Sequence, residues 1–281
     1  MRPLWQRGAK CSRSNGISLM LTIIGDILNW LAAGLLFPLC LTPLAILLSK
    51  GSAVRGSVIW LASAAGISAG ILLFSHFAVD LAAPPISNKH FVFFGALLAL
   101  TMIANILGGP KVLNDRLIPS IKWIVTNTGR LAMWFVLLMA LIQFGVVILR
   151  YIFGVNSILM QESVTYLHGG VFLLAAGYAL LTDDHVRVDI FYREASERRK
   201  AIVDIAGTYL FLFPFCFVLL WAGGDYVSNA WAVREGSTEQ SGIQGVYLLK
   251  TLIPLFALLL TLAGIARAND AAITLRESEA A

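Results

Sequence analysis

Residues 182–200, TDDHVRVDIFYREASERRK, form the most densely charged run in a strongly apolar chain. Their flanks, 166–181 and 201–221, are long enough with their edges to cross a bilayer, since about 20 apolar residues in a helix span the hydrocarbon core. The run therefore reads as a hydrophilic joint between two membrane helices. Val186, Val188 and Ile190 alternate with Arg187 and Asp189, a period of two that suits an extended segment with one apolar and one charged side. Ser196 then stands where it can cap a new helix, and Glu197 complements the positive end of that helix. The simplest rival is an ordinary loop whose basic residues only fix topology.

The rest of the composition agrees with a membrane setting. Of 281 residues, 58% are hydrophobic and 13% are charged, whereas roughly a quarter of a soluble domain is charged. Backbone groups in lipid need internal hydrogen bonds, so the expected fold is an all-α polytopic membrane helix bundle. The apolar runs are continuous and lack the short alternating segments of a membrane barrel. The net charge of +5 does not point to nucleic acid, because the basic residues sit in loops where topology explains them. Cys11, Cys40 and Cys216 are scattered without metal-ligand spacing and read as packing residues. Arg2, Arg7, Lys10 and Arg13 precede the first apolar run in the manner of a signal peptide, but the run continues too far, which favours an uncleaved span.

About seven transmembrane helices are expected. The first run, 17–48, carries Ser18, Thr22, Asp26 and Asn29 on one helical face and has Pro38 and Pro43 as bends. The second, 57–79, contains Gly66 and Gly70, four apart, which suits a close helix contact. The third is 91–107. A basic connector, 111–130, follows; Leu117, Ile118, Ile121, Ile124 and Val125 could make it an amphipathic surface helix with Trp123 at the headgroups. The remaining spans are expected at 131–149, 163–181, 201–221 and 246–266, with a link at 152–162, Pro214 as a kink and a polar loop at 223–242. Three units result: an N-terminal extension (1–110), the connector (111–130) and a four-helix membrane domain (131–281). The two basic loops, 111–130 and 187–200, are separated by two spans, so both face the cytoplasm and the 223–242 loop faces outward. Counting back places the N-terminus outside, against its own basic residues.

Few constellations carry chemistry. His76 and His168 are the plausible haem-ligand pair, which makes a haem-binding membrane anchor of a respiratory enzyme the main alternative, but His90 and His185 lie in or beside loops and no second stacked pair exists. Glu162 is expected to pair with Arg150 across the short link, or to accept hydrogen bonds at a helix N-terminus. No catalytic fingerprint occurs in a strand–helix context, so an enzyme is not expected, and neither is a cofactor.

Several of these residues carry a resemblance. Arg150-Tyr151-Ile-Phe-Gly, Glu162 before a helix with Tyr166, Gly177-Tyr178, and His185-Val-Arg187-Val-Asp189-Ile-Phe-Tyr192 resemble the small membrane subunit, DctQ-like, of tripartite ATP-independent periplasmic (TRAP) transporters. Asp204, Gly207-Thr208, Phe213-Pro214-Phe215, Ser228, Trp231, Leu249-Lys250 and Ile253-Pro254 continue the likeness, which covers 130–267. The resemblance implies a small permease subunit in the bacterial inner membrane. Its partners would be a large, sodium-coupled membrane subunit and a periplasmic solute-binding protein, importing a solute such as an organic acid. The small subunit would serve as fixed scaffold. Arg150, Tyr151, Glu162, His185, Arg187 and Asp189 are the candidate structural or subunit-contact residues, with Arg187 and Asp189 as a lock in the joint. Residues 1–129 depart from the family pattern of about four spans.

Overall fold

Why the chain folds as it does becomes visible from the last helix outward. The computed structural model describes residues 40, 42–48, 113–184 and 192–280, and among these the regular structure is entirely helical. The expected runs 17–39, 57–79 and 91–107, with Asp26 and the Gly66–Gly70 pair, lie outside the described residues. Five longer helices follow a short one: α1 (Thr42–Leu48), α2 (Ile118–Tyr151), α3 (Ile158–Thr182), α4 (Glu197–Gly207), α5 (Phe213–Val233) and α6 (Val246–Ala280). Four helical stretches, Asp115–Tyr151, Ile158–Thr182, Glu197–Val233 and Val246–Ser278, are long and apolar enough to cross a membrane.

Each boundary has a local cause. A π turn, Leu113–Leu117, leads into α2, and Pro119 sits in the first turn of that helix, where its missing N–H costs nothing. Ser157 is extended and its hydroxyl accepts from the Met160 N–H at 3.4 Å, capping α3. At the other end Asp183 turns left-handed (φ 64°) and the Asp184 N–H bonds back to Ala179 O at 3.0 Å. Between α4 and α5 the chain widens into a π turn, Thr208–Leu212, directly before Pro214. Proline has no N–H and its ring crowds the carbonyl of the residue four before it, and the wider turn relieves both conflicts. Ser196 does precede α4, and Glu197 is in its first turn, but the Ser196 hydroxyl makes no capping bond.

The helices are longer than hydropathy suggested. The connector and the fourth span form one unbroken helix of 34 residues, α2. A separate surface-lying helix does not form there, because Ile118, Ile121 and Val125 are buried against Leu259, Ala263, Ile265 and Ala266 of α6. Residues 158–162 belong to α3, so the link narrows to 152–157. Similarly α5 runs on to Val233, leaving 234–245 as the loop, and the expected charged tail is the end of α6. Hydropathy marks where hydrocarbon begins; a helix continues past that point while it still has protein to pack on.

The core lies along α6, which touches α1, α2, α3, α4 and α5. Leu174 of α3 joins the cluster around Ile265. Cys216 of α5 packs with Ala257 and Leu260, as the packing role expected for a free thiol requires. The tightest approach of a glycine to another helix's backbone is at Gly177, where an added Cβ would lie 2.9 Å from the Leu259 carbonyl oxygen and 3.3 Å from Val125. Only a residue without Cβ lets α3 meet the α6 backbone there. Gly177→Ala should therefore destabilise the bundle by about 1–3 kcal/mol, the usual cost of overpacking. Gly207→Ala, where an added Cβ meets nothing within 4 Å, should leave the melting temperature in detergent unchanged or raise it. Equal melting shifts for the two variants would contradict the close packing.

Candidate functional site

The polar side chains of the bundle gather at its two ends. At one end Arg267 of α6 is the centre. Its guanidinium pairs with Asp183 at 2.8 Å and Asp204 at 3.4 Å, and donates to Leu180 O at 3.0 Å. Asp204 also accepts from the Tyr192 hydroxyl at 3.0 and 3.1 Å. One planar fork thus ties the end of α3 to α4, and Asp204 carries the tie on to Tyr192, ahead of α4. Leu180 O is one of the carbonyls a helix C-terminus leaves without an intrahelical partner, so a cation there is doubly favoured. Arg suits the place because its donors are spread in a rigid plane. The pair lies in a half-buried setting: Arg267 and Asp204 side chains are 18% and 20% exposed, while Lys122 and Asp270, paired nearby at 2.7 Å, are 42% and 54% exposed.

At the other end Glu162, in the first turns of α3, holds the α5–α6 loop. Its carboxylate accepts from the Ser237 hydroxyl and from the Ile243 N–H at 2.5 Å. This arrangement stands in place of the expected pairing with Arg150. The Tyr166 hydroxyl donates to Ile243 O at 3.5 Å. Lys250 pairs with Glu235 at 2.5 Å and lies 4.0 Å from the Tyr226 ring centre, a cation over an aromatic face. Trp231 donates to Thr251 Oγ1 at 2.8 Å and meets Tyr247 edge-on at 4.8 Å. Arg234 ends α5 in the left-handed region (φ 48°), which turns the chain back so that Glu235 can reach α6.

Of the residues singled out from the sequence, Glu162 is in this second cluster. Arg150 and Tyr151 are exposed at the end of α2, Tyr151 by 80%. His185, Arg187 and Asp189 lie outside the described residues, so their lock is neither placed nor replaced. Residues not anticipated as a cluster are Asp183, Tyr192, Asp204 and Arg267 at one end and Ser237 and Lys250 at the other. The available signal was a lone charge inside an apolar run, Asp204 in one and Lys250 in another. His168 stands exposed on α3 with its ring 4.8 Å from Phe172. Among the described residues no group of three His, Cys, Asp or Glu side chains could hold a metal ion.

Two polar clamps closing the ends of an apolar four-span bundle define a membrane subunit whose charges bind its own helices to one another. The family described as tripartite ATP-independent periplasmic transporters, DctQ component, matches residues 139–272, from within α2 to within α6. This part of the chain thus matches the DctQ domain, the family of the small TRAP component, and its four long apolar helices suit a multi-pass membrane location. That family is one of transporter components and not of enzymes. No curated protein and no solved structure matches the chain.

The two ion pairs at the Arg267 end differ in burial, and stability should follow. Arg267→Ala leaves Asp204 and Leu180 O without their cation, and breaking a hydrogen bond to a charged group costs about 1.5–3 kcal/mol. Lys122→Ala removes an exposed pair worth about 0–1 kcal/mol. Thermal unfolding in detergent should show a clear drop for Arg267→Ala, a partial one for Arg267→Lys and little for Lys122→Ala. A Lys122→Ala loss equal to that of Arg267→Ala would remove the clamp as the reason.

Proposed function

We propose that this chain is the small permease subunit of a TRAP importer in the bacterial inner membrane, where it braces a large sodium-coupled subunit that moves a solute delivered by a periplasmic binding protein. The solute class is an organic acid. The observation that carries the reading is the DctQ match over the four-span bundle. The use of Arg267, Glu162 and Lys250 as internal ties supports a scaffold role, since these charges are spent on other helices of the same bundle. Arg150, Tyr151, His185, Arg187 and Asp189 are the proposed contacts to the large subunit. Residues 1–110 form an extension that widens the scaffold.

The Arg267 end is the cytoplasmic one in this reading. Arg116, Lys122, Arg130, Arg193, Arg198, Arg199 and Arg276 gather on that side, as the positive-inside principle requires. Single cysteines in a Cys-free background test it. Thr238→Cys, exposed in the α5–α6 loop, should react with an impermeant reagent from outside, and Ser196→Cys should be protected. The reverse pattern would invert the protein. For the function itself, liposomes holding this chain alone should show no sodium-driven uptake, and uptake should appear when the large subunit and the receptor are added. Uptake by this chain alone would make it a self-sufficient carrier and end the scaffold reading.

A further inference from the structure

The outward face of α2 has a composition of its own. Ile118, Ile121, Val125, Gly129 and Ala132 are buried, and they define the inner seam of the helix. Trp123, Arg130 and Trp134 fall on the opposite side at a spacing of two turns and one turn, Arg116 stands in the π turn ahead of them, and all four are exposed, Trp123 by 69% and Trp134 by 67%. Arg116 and Arg130 have no acidic partner among the described residues, whereas Lys122, further round the helix, is paired with Asp270.

Bilayer thickness places this stripe. The link 152–157 and the loop 234–245 keep the helices level at the Glu162 end. At about 1.5 Å per residue, α2 is about 51 Å long, too long for a hydrocarbon core of about 30 Å even at a tilt of about 40°. Its excess therefore emerges at the Arg267 end. Counting back from Tyr151, the hydrocarbon ends near about residue 131 for an upright helix and about residue 125 for one tilted by about 40°. Either way Arg130 falls at the level of the headgroups or one turn below it, within snorkelling reach. Trp134 then borders the acyl chains and Trp123 the water side, the places an amphipathic ring prefers.

We propose that this stripe is a binding site for an anionic phospholipid, with Arg130 as the ligand of its phosphate and Trp134 against its upper acyl chain. A guanidinium at headgroup depth, without a carboxylate partner among the described residues and bracketed by indoles, fits a lipid phosphate in charge and in amphipathic shape. The site does not depend on the transport reading.

Full-length protein in phosphatidylcholine vesicles with a minority of phosphatidylglycerol tests it, with bromine on the acyl chains of one lipid at a time. The Trp134 part of the emission is isolated by difference from Trp134→Phe. Brominated phosphatidylglycerol should quench it as though enriched about five-fold over its bulk share, the effect of about one basic residue near an anionic surface. Arg130→Gln should abolish the enrichment, Arg130→Lys should keep part of it, and Arg150→Gln, at the other end, should leave it intact. The melting temperature of Arg130→Gln in pure phosphatidylcholine serves as the folding control. Quenching at the bulk lipid ratio in the wild type overturns the site. So does enrichment that survives Arg130→Gln. Loss of the large subunit from Arg130→Gln, with lipid at its bulk ratio in the wild type, would make the stripe a protein contact instead.

Discussion

One guanidinium holds three parts of this chain together. Arg267 reaches Asp183, Leu180 O and Asp204 from a single position on α6, and Tyr192 joins through Asp204. Apolar packing in a membrane protein resists separation of helices only weakly, because lipid tails solvate a leucine as well as a neighbouring helix does. Close backbone contact and polar ties must supply the specificity. The approach at Gly177 provides the first and Arg267 the second, and both act on α6.

The Glu162 end solves the same problem differently. There the ties run from helix to loop, with a carboxylate gathering a hydroxyl and a backbone N–H. A loop that would otherwise carry unsatisfied backbone groups close to lipid is thereby folded down onto α3 and α6. Glu235 adds a second anchor: its carboxylate takes Lys250 while its own carbonyl takes the Tyr247 N–H at 3.3 Å. Between the clamps the bundle is apolar and small residues line its crossings. A body tied at both ends resists shear between its own helices, which is what the proposed scaffold role asks of it.

The α1 segment adds a contact beyond the DctQ domain. Thr42, Pro43 and Ile46 are buried, and the Tyr209 hydroxyl donates to Cys40 O, so residues outside 139–272 pack on α6 beside the π turn. The domain therefore also packs against the α1 segment, which precedes it in the chain.

Much of the architecture was legible in the amino-acid order alone. Four of the expected apolar runs are helices long and apolar enough to cross a membrane, the DDHVRVD stretch reads as a break between two of them, and its likeness to the small TRAP component agrees with the family match. Helix ends were not legible, since hydropathy reports the hydrocarbon boundary and α2 and α6 continue beyond it by packing on each other. Nor were the clamps. Glu162 was expected to take a neighbour, Arg150, or to accept hydrogen bonds at a helix N-terminus; it accepts from Ser237 and Ile243, 75 and 81 residues away, donors that its neighbourhood in the sequence does not name. Arg267 meets Asp204 at a distance of 63 residues along the chain. Which charges meet is set by the rotation and depth of each helix against the others. Those are fixed by the fit of Gly177 on Leu259 and of Val125 on the α6 face, and helical periodicity records only which side of its own helix a residue occupies.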